Sequence, residues 1–167
     1  MAFGRRVKRR RGGGIDVQLS EEEREVLAHV VGQLREVMLA DSDDPALRRL
    51  FPPAYADDPE KEAGYQVLAR DELLESRLEA IDVVEASVAA ESLDPEQAAA
   101  WMGAMNALRL VLGTRLDVSE DELPHVEPDD PELAAWVLYD FLSQLVAELV
   151  DALSGALPPG SDEPDLA

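Results

Sequence analysis

The chain has 167 residues, one domain's worth, and 46% of them are hydrophobic but only 5% aromatic, so its core must be built mainly from Leu, Val and Ala. Fifteen Lys and Arg stand against 36 Asp and Glu, a formal net charge of -21, and this excludes a body that attracts nucleic acid or anionic membrane by its bulk charge. With no cysteine, disulfides, thiolate nucleophiles and cysteine-ligated metals are excluded too.

The first predicted element has the opposite sign. Arg5, Arg6, Lys8, Arg9, Arg10 and Arg11 stand together without an acid, which leaves nine cations against 36 anions elsewhere. No apolar run follows Arg5 and Arg6, unlike an export signal, and a soluble cytoplasmic protein is expected. Val7 sits among the arginines, Gly12, Gly13 and Gly14 follow, and Ile15, Val17 and Leu19 alternate with Asp16, Gln18 and Ser20. A period of two on either side of a glycine turn predicts a β-hairpin over residues 3–19. Both faces of its first strand are cationic apart from Val7, which suits a sheet edge blunted by charge. A hairpin that projects about 24 Å, at roughly 3.4 Å per residue, would hold those cations clear of the acidic body.

From Ser20 the period becomes helical. Ser20 and Glu23 read as a capping box, and Val26, Leu27, Val30, Val31, Leu34 and Met38 carry a helix to about residue 40. Four Asp-Pro pairs follow, beginning at Asp44, Asp58, Asp94 and Asp130. Aspartate accepts hydrogen bonds as an N-cap, and proline fits the first helical turn, where its missing N–H has no partner to lose. They predict a short helix ending at Pro52-Pro53 and three long ones over about 59–90, 95–115 and 131–154. Residues 117–130 read as an acidic loop and 155–167 as a disordered acidic tail. The expected fold is mainly α: a bundle of four main helices and a short one, with a small N-terminal β-hairpin, in a single domain over 1–154.

Catalytic signatures are missing. There is no GxSxG elbow, HExxH or phosphate-binding glycine loop. The calcium-loop spacing that starts at Asp41 puts Ala46 where glycine is needed and Pro52 where a bidentate Glu is needed. No metal, cofactor or catalytic residue is expected. Two sets of residues remain as candidates. The first is the basic arm: six phosphate contacts would give a log–log salt slope of about −5. The second is Arg109, with Asn106 three residues earlier, in the crowded apolar stretch "MNALRLVLGTRL". Arg109 is expected to pair with Asp71 or Asp82 on the long helix, either as an architectural ion pair or as an anion anchor.

The order "RRGGG", strand, Ser-capped helix, "FPPAYADDPE" and "NALRLVLGTRL", with Trp101, Tyr139 and Phe141, resembles an actinobacterial family listed as domain of unknown function 2017. That family is also called AosR, after an oxidative-stress transcriptional regulator. The resemblance spans about residues 3–153. It implies a non-enzymatic cytoplasmic regulator that acts in transcription through a transcription-factor or sigma-factor partner. Together with the basic arm, the leading expectation is a transcriptional regulator whose N-terminal hairpin contacts DNA or the transcription machinery. Thiol-based redox sensing needs cysteines, which this chain lacks. The alternative is a helical protein–protein adaptor with no nucleic-acid role. A homodimer is a further partner state, because the long helix over 59–90 carries more apolar surface than one small bundle covers.

Overall fold

The structure is a computed structural model that describes residues 4–40, 44–118 and 127–155. Four helices form the bundle: α1 (Glu21–Ala40), α2 (Pro59–Ser87), α3 (Pro95–Arg115) and α4 (Leu133–Ser154). Three short strands, β1 (Val7–Arg9), β2 (Ile15–Val17) and β3 (Ser92–Leu93), form an antiparallel sheet in the order β1-β2-β3. The expected short helix is a single 3-10 turn at Pro45–Leu47.

Helix starts follow the capping residues. Ser20 Oγ accepts from the Glu23 N–H at 3.1 Å, and Glu23 Oε2 accepts from the Ser20 N–H at 3.0 Å. Asp58 caps α2 through the Lys61 N–H, and Asp94 forms a reciprocal box with Gln97 at the start of α3. Asp130 behaves differently. Its carboxylate takes the Glu132 N–H at 2.8 Å and shapes a turn, so α4 starts two residues later than predicted, at Leu133.

In the hairpin, Val7 faces Val17 and Arg9 faces Ile15. The turn closes with the Arg10 N–H donating to Gly14 O at 2.7 Å, and Gly13 has a φ of 97°, a region L-residues rarely adopt. The third strand was not anticipated. After Ser87 the chain turns back and lays Leu93 beside Ile15. This turn ends α2 three residues earlier than the apolar pattern suggested. Arg24 of α1 holds it, donating to the carbonyls of Val88 (2.6 Å), Ala90 (2.9 Å) and Val17 (3.1 Å).

The core is continuous, and α3 is its centre. Trp101 and Met105 are fully buried, and α3 packs against α2 on one side and α4 on the other. Gly113 lets α4 come close: a Cβ there would lie 3.2 Å from Cε2 of Tyr139. α1 packs on α2, but α1 and α4 barely meet, so among the described residues one seam of the bundle is open. Residues 119–126 of the predicted acidic loop and 156–167 of the predicted tail lie outside the described residues.

Candidate interaction surface

β1 does not project. Val7 is 1% exposed because the strand lies along α4. A lone apolar residue in a basic strand gains by burial, and α4 and α1 supply the matching carboxylates. The Val7 N–H donates to Glu148 Oε2 at 2.8 Å, and the Val7 carbonyl accepts from Arg5 Nε at 3.0 Å. These side chains occupy the outward hydrogen-bonding groups of Val7, which closes that point of the edge to an added strand.

The six cations divide. Arg5 pairs with Asp151 at 3.1 Å. Arg6 pairs with Glu23 at 2.8 Å, donates weakly to Gln144 and lies over the Phe141 ring at 5.0 Å. Arg10 forms an ion pair with Asp16 on the neighbouring strand, without an aligned hydrogen bond. Lys8, Arg9 and Arg11 make no ion pair among the described residues. Arg9 nevertheless lies against the last turn of α4, its Nη1 3.3 Å from where a Cβ on Gly155 would stand, at the negative end of the helix dipole. Lys8 and Arg11 face solvent.

Glu23 is the hinge of this arrangement. One carboxylate oxygen completes the Ser20 capping box, and the other holds Arg6. Burial alone would raise its pKa. Hydrogen bonds from Arg6 and the Ser20 N–H, with the charges of Arg6 and Arg24, outweigh burial and hold it below its ordinary value.

The second candidate set is not brought together as expected. Arg109 Nη2 donates to Asn106 Oδ1 at 2.9 Å within α3. Its Nε is buried without a hydrogen-bond partner, and neither Asp71 nor Asp82 reaches it. Asp82 faces α1, where Arg35 bridges it and Glu85. Both carboxylates raise the Arg35 pKa, chiefly through their hydrogen bonds, Asp82 first. Asp71 sits on the exposed side of α2. Arg109 finds a partner one turn away in its own helix, which needs no precise contact between helices. The interhelical ion pair therefore joins α1 to α2.

The open α1–α4 seam was not recognised from the sequence. Its main hollow, of about 760 Å³, is floored by Leu133, Ala134, Val137, Leu138 and Phe141 of α4 and by Val26 of α1. Val137 is 60% exposed and Val26 45%. A second hollow of about 230 Å³ shares Leu138 and runs on between Val30 and Val37 of α1 and Leu108 to Leu112 of α3. α4 is the one described helix long and apolar enough, by length and composition, to cross a membrane, yet only 17% of its most apolar stretch is buried. The signal was present: Leu133, Trp136, Val137, Leu138, Tyr139 and Phe141 place apolar groups all round the helix, where a bundle needs only one stripe.

These features define a class: a small acidic helical bundle with a basic ribbon strapped along its last helix and one apolar seam unfilled. A family model described as domain of unknown function (DUF2017) matches residues 4–153, and the chain belongs to that family. No curated protein and no solved structure matches.

Proposed function

We propose that the protein is a non-enzymatic regulatory adaptor that works by binding another protein, with duplex DNA outside its direct contacts. The observation that carries this reading is the contrast between ribbon and helix: Arg5, Arg6 and Arg10 spend their charge on the chain's own carboxylates, while the most apolar helix leaves Val137 and Val150 exposed and much of its apolar surface only partly covered. An unfilled apolar surface on a single domain marks a contact for a partner. The likeness of "FPPAYADDPE" and "NALRLVLGTRL" to AosR-type regulators supports a cytoplasmic role in transcription, reached through a protein of the transcription machinery.

A second reading has one observation in its favour. Lys8, Arg9 and Arg11 lack ion pairs among the described residues and could meet phosphates. Three contacts would give a salt slope of about −3 in place of −5. Fluorescence anisotropy with mixed-sequence duplex DNA separates the two readings. The adaptor reading expects no binding at low or moderate salt. Binding with that slope, abolished by the triple variant K8A/R9A/R11A, would replace it with the DNA reading.

A further inference from the structure

We infer that the α1–α4 seam is the receptor groove for a basic amphipathic helix of a partner protein. The inference rests on the adaptor reading and names the partner's chemistry. Three sides of the bundle are closed by α1 on α2, α2 on α3 and α3 on α4; among the described residues the fourth is covered by β1 only along the C-terminal half of α4, so the stretch before it leaves a helix-shaped place for a missing neighbour. The stretch of α4 that floors the main hollow runs from Leu133 to Gln144, about 17 Å at 1.5 Å per residue, or some three turns. A helix of that length presents apolar residues at i, i+3, i+4 and i+7, which is how an amphipathic helix seats itself in an apolar groove.

Charge selects among possible helices. The rim carries Glu22 on α1 and Asp140 on α4, beside Glu23, which Arg6 neutralises, and the adjoining hollow adds Glu36. The two cations of the seam already face carboxylates, Arg6 with Glu23 and Arg115 with Asp44 at 3.9 Å. An incoming helix therefore meets uncompensated negative charge on both sides of an apolar floor, and Lys or Arg flanking its apolar face answers it. The other occupants fit worse. A second copy brings another -21 of net charge to an acidic rim. Residues 156–167 carry Asp162, Glu163 and Asp165 with no base, and residues 119–126 carry Glu120, Asp121 and Glu122. An anionic lipid surface is repelled by the same rim.

The test uses the full chain and synthetic helical peptides of about 18 residues, five turns. One peptide carries leucine at i, i+3, i+4 and i+7 with lysine between; a second replaces every lysine by glutamate; a third scrambles the first. The protein variants are the double variant V26S/V137S, at positions already exposed, and D140K. Fluorescence anisotropy at about physiological salt is expected to show binding of the leucine–lysine helix alone. Both variants should weaken it about tenfold or more, ~1.4 kcal/mol. Circular dichroism and thermal melts should leave the variants folded, since substitutions at exposed sites cost little. Binding of the scrambled peptide as tightly as the patterned one, or binding indifferent to V26S/V137S, would reduce the effect to bulk charge and overturn the inference. So would a wild-type dimer in sedimentation velocity that V26S/V137S dissociates, which assigns the seam to a second copy. Flotation with neutral phosphatidylcholine vesicles that the double variant abolishes would assign it to lipid. New binding that appears only after deletion of residues 1–3 would assign it to the chain's own N-terminus. The DNA measurement uses another ligand and other residues, so a failure of the seam inference is distinguishable from a failure of the adaptor reading on which it rests.

Discussion

At the scale of single residues, the buried Ser87–Trp101 contact shows how one polar atom constrains the core. The Trp101 indole N–H, at the centre of the bundle, donates to Ser87 Oγ at 2.8 Å, and the Ser87 hydroxyl in turn donates to the Val83 carbonyl. Among the described residues Ser87 is the one buried polar residue beside the apolar core. Replacing it by alanine leaves the indole N–H with no acceptor, at a cost of about 1–3 kcal/mol, offset by roughly 0.5 kcal/mol of helix propensity. S87A is therefore expected to unfold at lower urea with an unchanged m-value, and an unshifted midpoint would show that the hydrogen bond contributes nothing net. Trp101 was legible as core from its spacing with Met105 and Leu108. Ser87 was not, because a serine between Ala86 and Val88 near a helix end looks like any surface position. Arg109 misled for a related reason: sequence spacing places it on a crowded face, but says nothing about which helix turns a carboxylate toward it, and that partner went to Arg35.

At the scale of elements, the ribbon is held to the bundle by side chains from two helices. Glu23 joins α1 to β1 through Arg6, and Glu148 and Asp151 join α4 to β1 through Val7 and Arg5. Because Glu23 has a depressed pKa in the folded state, its contribution is fully present above the unfolded value of about 4.3 and is lost as pH falls through the lower folded value. The variant E23Q preserves the capping-box residue type but removes the ion pair with Arg6. At neutral pH it should lose about 1 kcal/mol, seen as a melting temperature ~2–4 °C lower. That gap should narrow as the pH falls below the unfolded value of about 4.3 and close once the pH has passed below the lower folded value, where the wild-type carboxylate is itself protonated; a gap that persists would place the effect in the cap and not in the charge. The elements themselves were largely readable, since Asp58-Pro59, Asp94-Pro95 and Ser20 with Glu23 mark helix starts by local chemistry. β3 escaped because two residues make no period, and the folded-back position of β1 escaped because it depends on acids more than a hundred residues away in sequence.

At the scale of the whole molecule, the excess of acid sets both partner choice and stability. Apart from the six cations between Arg5 and Arg11, nine cations share the chain with 36 anions, so carboxylates outnumber the cations left to pair with them by four to one. Two opposing effects answer to salt. Exposed ion pairs such as Arg5–Asp151 weaken as salt rises, but each is worth only about 0–1 kcal/mol. Like-charge repulsion is summed over many more groups and over longer distances, and is screened as the Debye length shrinks from about 30 Å at 0.01 M to about 8 Å at 0.15 M. Repulsion should win. Across that range the stability is expected to rise by about 2 kcal/mol, and the melting temperature by ~4–8 °C, in thermal denaturation followed by circular dichroism. A melting temperature that falls with salt would mean that the ribbon's ion pairs, and not the charge of the body, dominate the electrostatics. The acidic rim around Val26 and Val137 would then lose its claim to select a basic partner.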